Sequence, residues 1–158
     1  MLKANEESED YKFYKTLNED VQLIPNRYGK YDLNMNNDDY VNVTGKNSLY
    51  NAIVIAIMTR FNELDDISLY EGFGCRVHEL LKDNKSEMVM YEIELYIRNV
   101  LENMRRILEV NELKVTDSTK EKYHVYFNVT SINDEIVAGE MDIWIILKKH
   151  LKKYLNPH

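Results

Sequence analysis

SLYNAIVIAIMTRFNELDDISLYEGFGCRVHELLKDNKSEMVMYEIELYIRNVLENMRRILEVNELKV, residues 48–115, decides the fold. Leu49, Ile53, Ala56, Ile57, Phe61 and Leu64 recur at three- and four-residue intervals, which predicts a helix carrying this face as far as Leu64. Val54, Ile55 and Met58 add apolar surface on other sides, so this helix is expected to be covered on more than one face. Asn47 and Ser48 are candidate caps for its start. Val89, Ile93, Ile97, Val100, Leu101 and Met104 repeat the pattern in a second helix, with Glu92, Arg98, Asn99 and Glu102 on the opposite face. Asn84 with Glu87 has the form of a capping box, and Ser86 is an equal candidate. Arg105 and Arg106 close the helix, and a strand pattern begins at once after them.

Downstream the period changes from helical to alternating. Leu113 and Val115 flank Lys114, and a polar turn is expected at residues 117–120. Tyr123, Val125, Phe127 and Val129 then alternate with His124, Tyr126, Asn128 and Thr130, the pattern of a half-buried strand. Asn133-Asp134 fits a tight hairpin turn, since both residues tolerate the left-handed conformation. A third strand places Val137, Met141, Ile143 and Ile145 on one face, with Gly139 marking a bulge or a close backbone approach. Helices followed by an antiparallel meander define an α+β fold.

Upstream, residues 1–24 are acidic and irregularly apolar, and read as an arm that orders against a partner or as a solvated terminus. Pro25-Asn26-Arg27-Tyr28-Gly29 is a turn cluster, and Tyr40 to Val43 has the composition of a short strand. Residues 45–48, Gly-Lys-Asn-Ser, fail as a phosphate-binding loop, because Tyr40 occupies the place of the leading glycine and Asn47 displaces the hydroxyl. At the other end, Leu147, Leu151, Tyr154 and Leu155 with four lysines make a short basic amphipathic helix. The organisation expected is an N-terminal arm and loop (1–44), a core (45–147) and a basic tail (148–158).

Length and composition bound the function. At 158 residues with 44% hydrophobic and 30% charged content, one soluble domain with extensions is expected. A net charge of −7 argues against general affinity for nucleic acid, whose phosphates demand clustered Lys and Arg. One cysteine excludes an internal disulfide framework. No apolar run reaches membrane-spanning length, and no signal pattern opens the chain. Cys75 and His78 are close in sequence, but no second Cys/His cluster completes a zinc set, and His124, His150 and His158 fall on different elements. No cofactor is expected. Glu71 and Glu79 flank the central loop as a glycosidase pair would, yet acids are plentiful here and no cleft pattern isolates two of them.

The order of motifs in the core resembles the sheath-initiator family of contractile tails, which includes the lysozyme-like baseplate-wedge subunits of contractile phages and the equivalent subunits of type VI-like injection systems. Thr59-Arg60, Phe73-Gly74 and Leu80-Leu81 stand where that family carries a threonine-arginine, an aromatic-glycine and a short helix ending in paired leucines. Arg105-Arg106-Ile107 stands at its glutamate-proline-arginine turn, with Met104 and Arg105 in place of the glutamate and proline. The resemblance implies two main helices and a short connecting helix packed on a small antiparallel sheet. It implies a structural, non-enzymatic subunit of a virion or injection-system baseplate, assembled in the host cytoplasm and repeated around a six-fold axis. Wedge proteins and the sheath protein are its implied partners. Arg105 and Arg106 are the candidate wedge contacts, Val137, Met141, Ile143 and Ile145 the candidate sheath-facing strand, and Gly72 and Gly74 the structural turn. Two other classes stand beside this reading: an acidic intracellular binding module or inhibitor, and a muramidase.

Overall fold

A computed structural model describes residues 19–28, 30–67, 70–81 and 84–145. The chain is α+β. Among the described residues six short strands, β1 (Glu19–Val21), β2 (Leu23–Pro25), β3 (Tyr31–Leu33), β4 (Met35–Asn36), β5 (Asp39–Tyr40) and β6 (Asn42–Thr44), precede helix α1 (Lys46–Met58). A four-residue helix α2 (Val77–Leu80) and a long helix α3 (Glu87–Asn103) follow. The chain then forms a three-stranded antiparallel meander of β7 (Ile107–Thr119), β8 (Lys122–Ser131) and β9 (Ile136–Trp144), in that spatial order.

The meander is amphipathic, as its alternation requires. Tyr123, Val125, Phe127 and Val129 of β8 are buried between Leu113 of β7 and Val137, Met141 and Ile143 of β9. Helix α3 lies over β7 and helix α1 over β9, both on this apolar face. From α3 come Val89, Ile93, Ile97 and Leu101, and from α1 Leu49, Ile53 and Ile57. The core is therefore two layers, helix on sheet.

Local chemistry sets the helix ends. Ser86 caps α3, its Oγ accepting the Val89 N–H at 3.1 Å. Helix α1 begins earlier than either expected cap: Gly45 precedes its first turn with φ 58° and no side chain caps it. It also ends earlier than the apolar spacing predicts. Thr59 turns to extended backbone and sends its Oγ1 to the Ile55 carbonyl at 2.7 Å. Phe61 and Leu64 thus fall outside the helix, in a loop held by a parallel bridge between Arg60 and Cys75. Gly74 makes that bridge feasible. Its φ is 105°, and a Cβ there would lie 2.4 Å from the Arg60 carbonyl oxygen.

Residues 19–24, read from the sequence as part of an arm, form strands on the chain's own backbone. β1 pairs with β6, β2 with β3 and β4 with β5, all antiparallel. The three ladders meet where Gln22 N–H donates to the Val41 carbonyl (2.7 Å), Asn34 N–H to Gln22 (2.8 Å) and Val41 N–H to Asn34 (3.0 Å). This ring of backbone bonds supplies partners for groups that a ribbon junction would otherwise leave open. Asn51 of α1, 2% exposed, ties the ribbon to the core: its Nδ2 donates to the Val21 carbonyl (2.7 Å) and its Oδ1 accepts the Leu23 N–H (3.4 Å). Asn51 thereby does for Val21 and Leu23 what a neighbouring strand would do.

Two strand boundaries also differ from expectation. β7 starts at Ile107 and runs to Thr119, so the connection to β8 is the pair Lys120-Glu121 rather than the whole polar stretch. The Asn133-Asp134 turn is as expected, with Asp134 at φ 59° and Ser131 Oγ accepting both the Asn133 and Glu135 N–H groups at 3.2 Å. Gly139 marks a close approach and no bulge, since the β8–β9 register is continuous. A Cβ at Gly139 would lie 2.4 Å from Tyr50 Cε2 and 2.7 Å from Phe127 Cζ. The Tyr50 ring stacks on Phe127 with centroids 5.9 Å apart. Gly139→Ala is therefore expected to cost about 1–3 kcal/mol in urea unfolding. In the Tyr50→Ala background the same substitution should cost much less, a coupling that a double-mutant cycle reads directly.

Candidate functional site

The sheet has two outer strands, and they are built differently. β7 departs from regular pairing with β8 at three places, between Ile107 and Glu109, Val110 and Glu112, and Asp117 and Thr119. Such irregularities twist and break an edge. β9 pairs with β8 without interruption from Ile136 to Trp144 and contains no proline. Among the described residues no strand pairs with its outer side.

The direction of each backbone group on β9 follows from the bonds at its two ends. Ile145 N–H donates to the Glu121 carbonyl (2.7 Å), and the Glu135 carbonyl accepts from Ser131 N–H (2.8 Å). Antiparallel alternation then turns the backbone of odd-numbered residues toward β8 and that of even-numbered residues outward. Tyr50 is consistent with this, since its hydroxyl donates to the Glu140 carbonyl at 3.1 Å. Ala138, Glu140 and Asp142 therefore present the edge.

The residues expected from the sequence to face the sheath lie on β9, on its core side. Val137, Met141 and Ile143 are buried (4%, 3% and 1% exposed), and Ile145 packs against the same core. Their side chains build the core and their backbone groups face β8. The period-two pattern that located the strand selects its apolar face, whereas pairing with an added strand uses the backbone of the residues between.

A groove of about 530 Å³ runs along this edge. One wall is Glu140, Asp142 and Trp144 of β9 with Tyr50; the other is the tip of the β2–β3 hairpin, with Pro25, Arg27, Lys30 and Tyr31. On the outer sheet face, Lys122 Nζ donates to Asp142 Oδ2 (2.6 Å) and His124 Nδ1 lies 2.9 Å from Asp142 Oδ1. Partial burial works against the Asp142 carboxylate, but the Lys122 and His124 bonds outweigh it and hold its pKa below the ordinary value. Glu140 Oε2 stands 3.7 Å from His124 Nε2. Burial raises the pKa of both the Tyr31 and Tyr50 hydroxyls, which keeps them neutral donors in the groove.

The two arginines of the helix–strand junction diverge. Arg105 is exposed, whereas Arg106 is partly buried, its Nη1 donating to Ser48 Oγ of α1 at 3.4 Å. Burial lowers the Arg106 pKa and Asp20 opposes that shift. Gly72 and Gly74 both have positive φ, 72° and 105°, as the turn requires. They line a second groove, of about 390 Å³, with Phe61, Arg76 and Tyr96. Cys75 is fully buried, and His78 meets the Ile57 carbonyl at 3.1 Å through Nε2, so each is engaged in packing. Among the described residues no group of three or more His, Cys, Asp or Glu is arranged to hold a metal ion. The amphipathic tail, residues 148–158, and residues 1–18 lie outside the described residues.

The sequence matches no family model and no curated protein.

Two predictions follow from these environments. Arg106→Ala should lower stability by about 1 kcal/mol through the lost bond to Ser48 and lost packing, while Arg105→Ala should leave the unfolding free energy from urea titration within about 0.5 kcal/mol of the native chain. The second concerns Cys75, whose thiol burial pushes up from an ordinary 9.0 to about 11, against backbone bonds from Val77 and Arg76. A folded pKa above the unfolded one gives stability that is intact below pH 9 and lost as pH rises toward 11. Urea midpoints of the native chain and Cys75→Ala should thus converge across that interval, and the native thiol should resist a thiol reagent at pH 8 until unfolded.

Proposed function

We propose that the protein is a structural subunit of the sheath-initiator kind, which joins a baseplate wedge to the first sheath ring of a contractile tail or injection device. One observation carries the reading: β9 is a regular, bulge-free sheet edge, nine residues long, with outward backbone groups at alternate positions. An extended segment added there satisfies those groups with main-chain bonds that depend little on side-chain identity. Such a joint suits a subunit that must imitate, at the baseplate, the contact between one repeated subunit and the next. The contrast with β7 supports the same assignment, because its irregular pairing leaves β9 as the edge fit for docking. The order of motifs from Thr59-Arg60 through Arg105-Arg106 supports the class of assembly.

In this reading the wedge contact falls to the exposed Arg105 with the surface around the helix–strand junction, and Arg106 positions that junction. Sheath protein occupies the β9 edge. The subunit acts by geometry and carries out no chemical step.

Proline placed at an outward position tests the joint without breaking the sheet. Ala138→Pro removes an N–H that faces away from β8 and puts a ring in the path of an incoming strand. The variant is expected to fold, to enter the baseplate and to fail to start sheath polymerisation, as seen by electron microscopy of assembly reactions. Ile143→Pro, which removes a donor facing β8, should instead unfold the sheet. Normal sheaths on a folded Ala138→Pro protein would overturn the edge assignment.

A further inference from the structure

We propose that the groove between β9 and the tip of the β2–β3 hairpin takes an extended acidic segment of another protein, with Arg27 and Lys30 meeting its carboxylates. The inference rests on the reading of β9 as a docking edge and adds the chemistry that the incoming strand must carry. The hairpin lies outside the residues, 45–147, whose motifs carry the family resemblance, so this selection belongs to the chain's own N-terminal ribbon.

The hairpin tip is prepared as a wall. Pro25 has no N–H to offer. Asn26 Oδ1 accepts the N–H groups of Tyr28 (2.9 Å) and Lys30 (3.0 Å), its Nδ2 donates to Asp32 (3.1 Å), and its own N–H donates to the Lys30 carbonyl (2.8 Å). The N–H groups of Asn26, Tyr28 and Lys30 are thus satisfied from within, and the turn presents the side chains of Arg27 and Lys30 to an occupant. The Arg27 guanidinium sits 4.8 Å from the Tyr28 ring centroid. Among the described residues neither Arg27 nor Lys30 is in an ion pair.

The opposite wall has already spent its charge. Asp142 is bonded by both Lys122 and His124, and Glu140 faces His124. Counting lining side chains other than His124, Arg27, Lys30 and Lys122 stand against Glu140 and Asp142, one positive charge in excess on a chain of net charge −7. A basic strand would enter against two unpaired cations, whereas an acidic strand would neutralise them. Side chains of an added strand alternate between faces. The fitting occupant therefore alternates apolar residues, set against Tyr31 and Tyr50, with carboxylates.

The test titrates the full-length protein with an eight-residue peptide alternating Glu and Val, and with its Lys–Val counterpart, by calorimetry and amide NMR. The Glu–Val peptide is expected to bind about tenfold or more tightly than the Lys–Val peptide at low ionic strength, a preference that salt weakens. Arg27→Glu with Lys30→Glu, both at exposed positions, should abolish or reverse it. Peptides that bind alike, peptides that both fail to bind, or a preference that survives the charge reversal would overturn the proposal. Ala138→Pro separates the two levels of the argument. Binding lost on Ala138→Pro yet indifferent to Arg27 and Lys30 keeps the docking edge and removes the hairpin's role; binding indifferent to Ala138→Pro overturns both. A chain carrying Glu6→Gln, Glu7→Gln, Glu9→Gln and Asp10→Asn tests a rival occupant. If it binds the Glu–Val peptide more than tenfold more tightly than the native chain, the groove belongs to the protein's own acidic segment and the proposal falls.

Discussion

Strand β8 is committed on every side, and the rest of the structure follows from that commitment. Its backbone is hydrogen-bonded to β7 along one flank and to β9 along the other. Its alternate side chains, Tyr123, Val125, Phe127 and Val129, are buried under α1 and α3. A slip of one residue in either pairing would turn these four outward and bring His124, Tyr126, Asn128 and Thr130 in. The helices cover the apolar face and leave the sheet's two edges to the outer strands. A three-stranded sheet cannot close on itself, so edges are unavoidable, and the question is how each is managed.

The two edges are managed in opposite ways. β7 is broken by three register shifts and carries Glu109, Glu112, Lys114 and Asp117, which discourage a further strand. β9 has no register shift along its length, and its charged residues are Glu140 and Asp142. Among the described residues, a tyrosine, which uses one outward carbonyl, and a hairpin tip across a groove stand near it. Gly139 is the residue that makes this arrangement possible. Lacking a Cβ, it lets the Tyr50 ring lie down on Phe127, and that position brings the hydroxyl to the strand's outer side. One small residue thus couples the packing of α1 to the chemistry of the edge.

Much of the core was legible in the sequence because burial imposes periodicity. The three- and four-residue spacing of Val89, Ile93, Ile97 and Leu101 and the alternation of β8 report which face is covered, and those are the faces the structure buries. The end of α1 was not legible, since Phe61 and Leu64 continue the helical spacing by coincidence while the chain turns at Thr59 to bridge Arg60 with Cys75. The ribbon of residues 19–44 was mostly hidden for a different reason. Its strands are two or three residues long, too short to express a period. They are held by the Gln22–Asn34–Val41 backbone ring and by the single amide of Asn51, neither of which leaves a pattern in residue type. The candidate edge was half legible. Apolar alternation identified β9, and the residues it named are the ones pointing the other way.

That inversion follows from the place of β9 in the sheet. On this strand the residues that share both backbone bonds with β8 are the odd-numbered ones of the apolar face. The residues whose backbone faces away from β8, Ala138, Glu140 and Asp142, therefore carry solvent-facing side chains, and the Glu140 carbonyl is already taken by Tyr50. The chemistry of that polar row can vary without disturbing the core. Here that row is already engaged: Asp142 with Lys122 and His124, Glu140 near His124. With its carboxylates so occupied, the strand itself has little charge left with which to choose a partner. Among the described residues, the charged groove-lining side chains without an ion pair, Arg27 and Lys30, belong to the hairpin across the groove. The core sheet then presents outward backbone groups on β9, and across the groove Arg27 and Lys30 stand on a ribbon tethered to the core through Asn51.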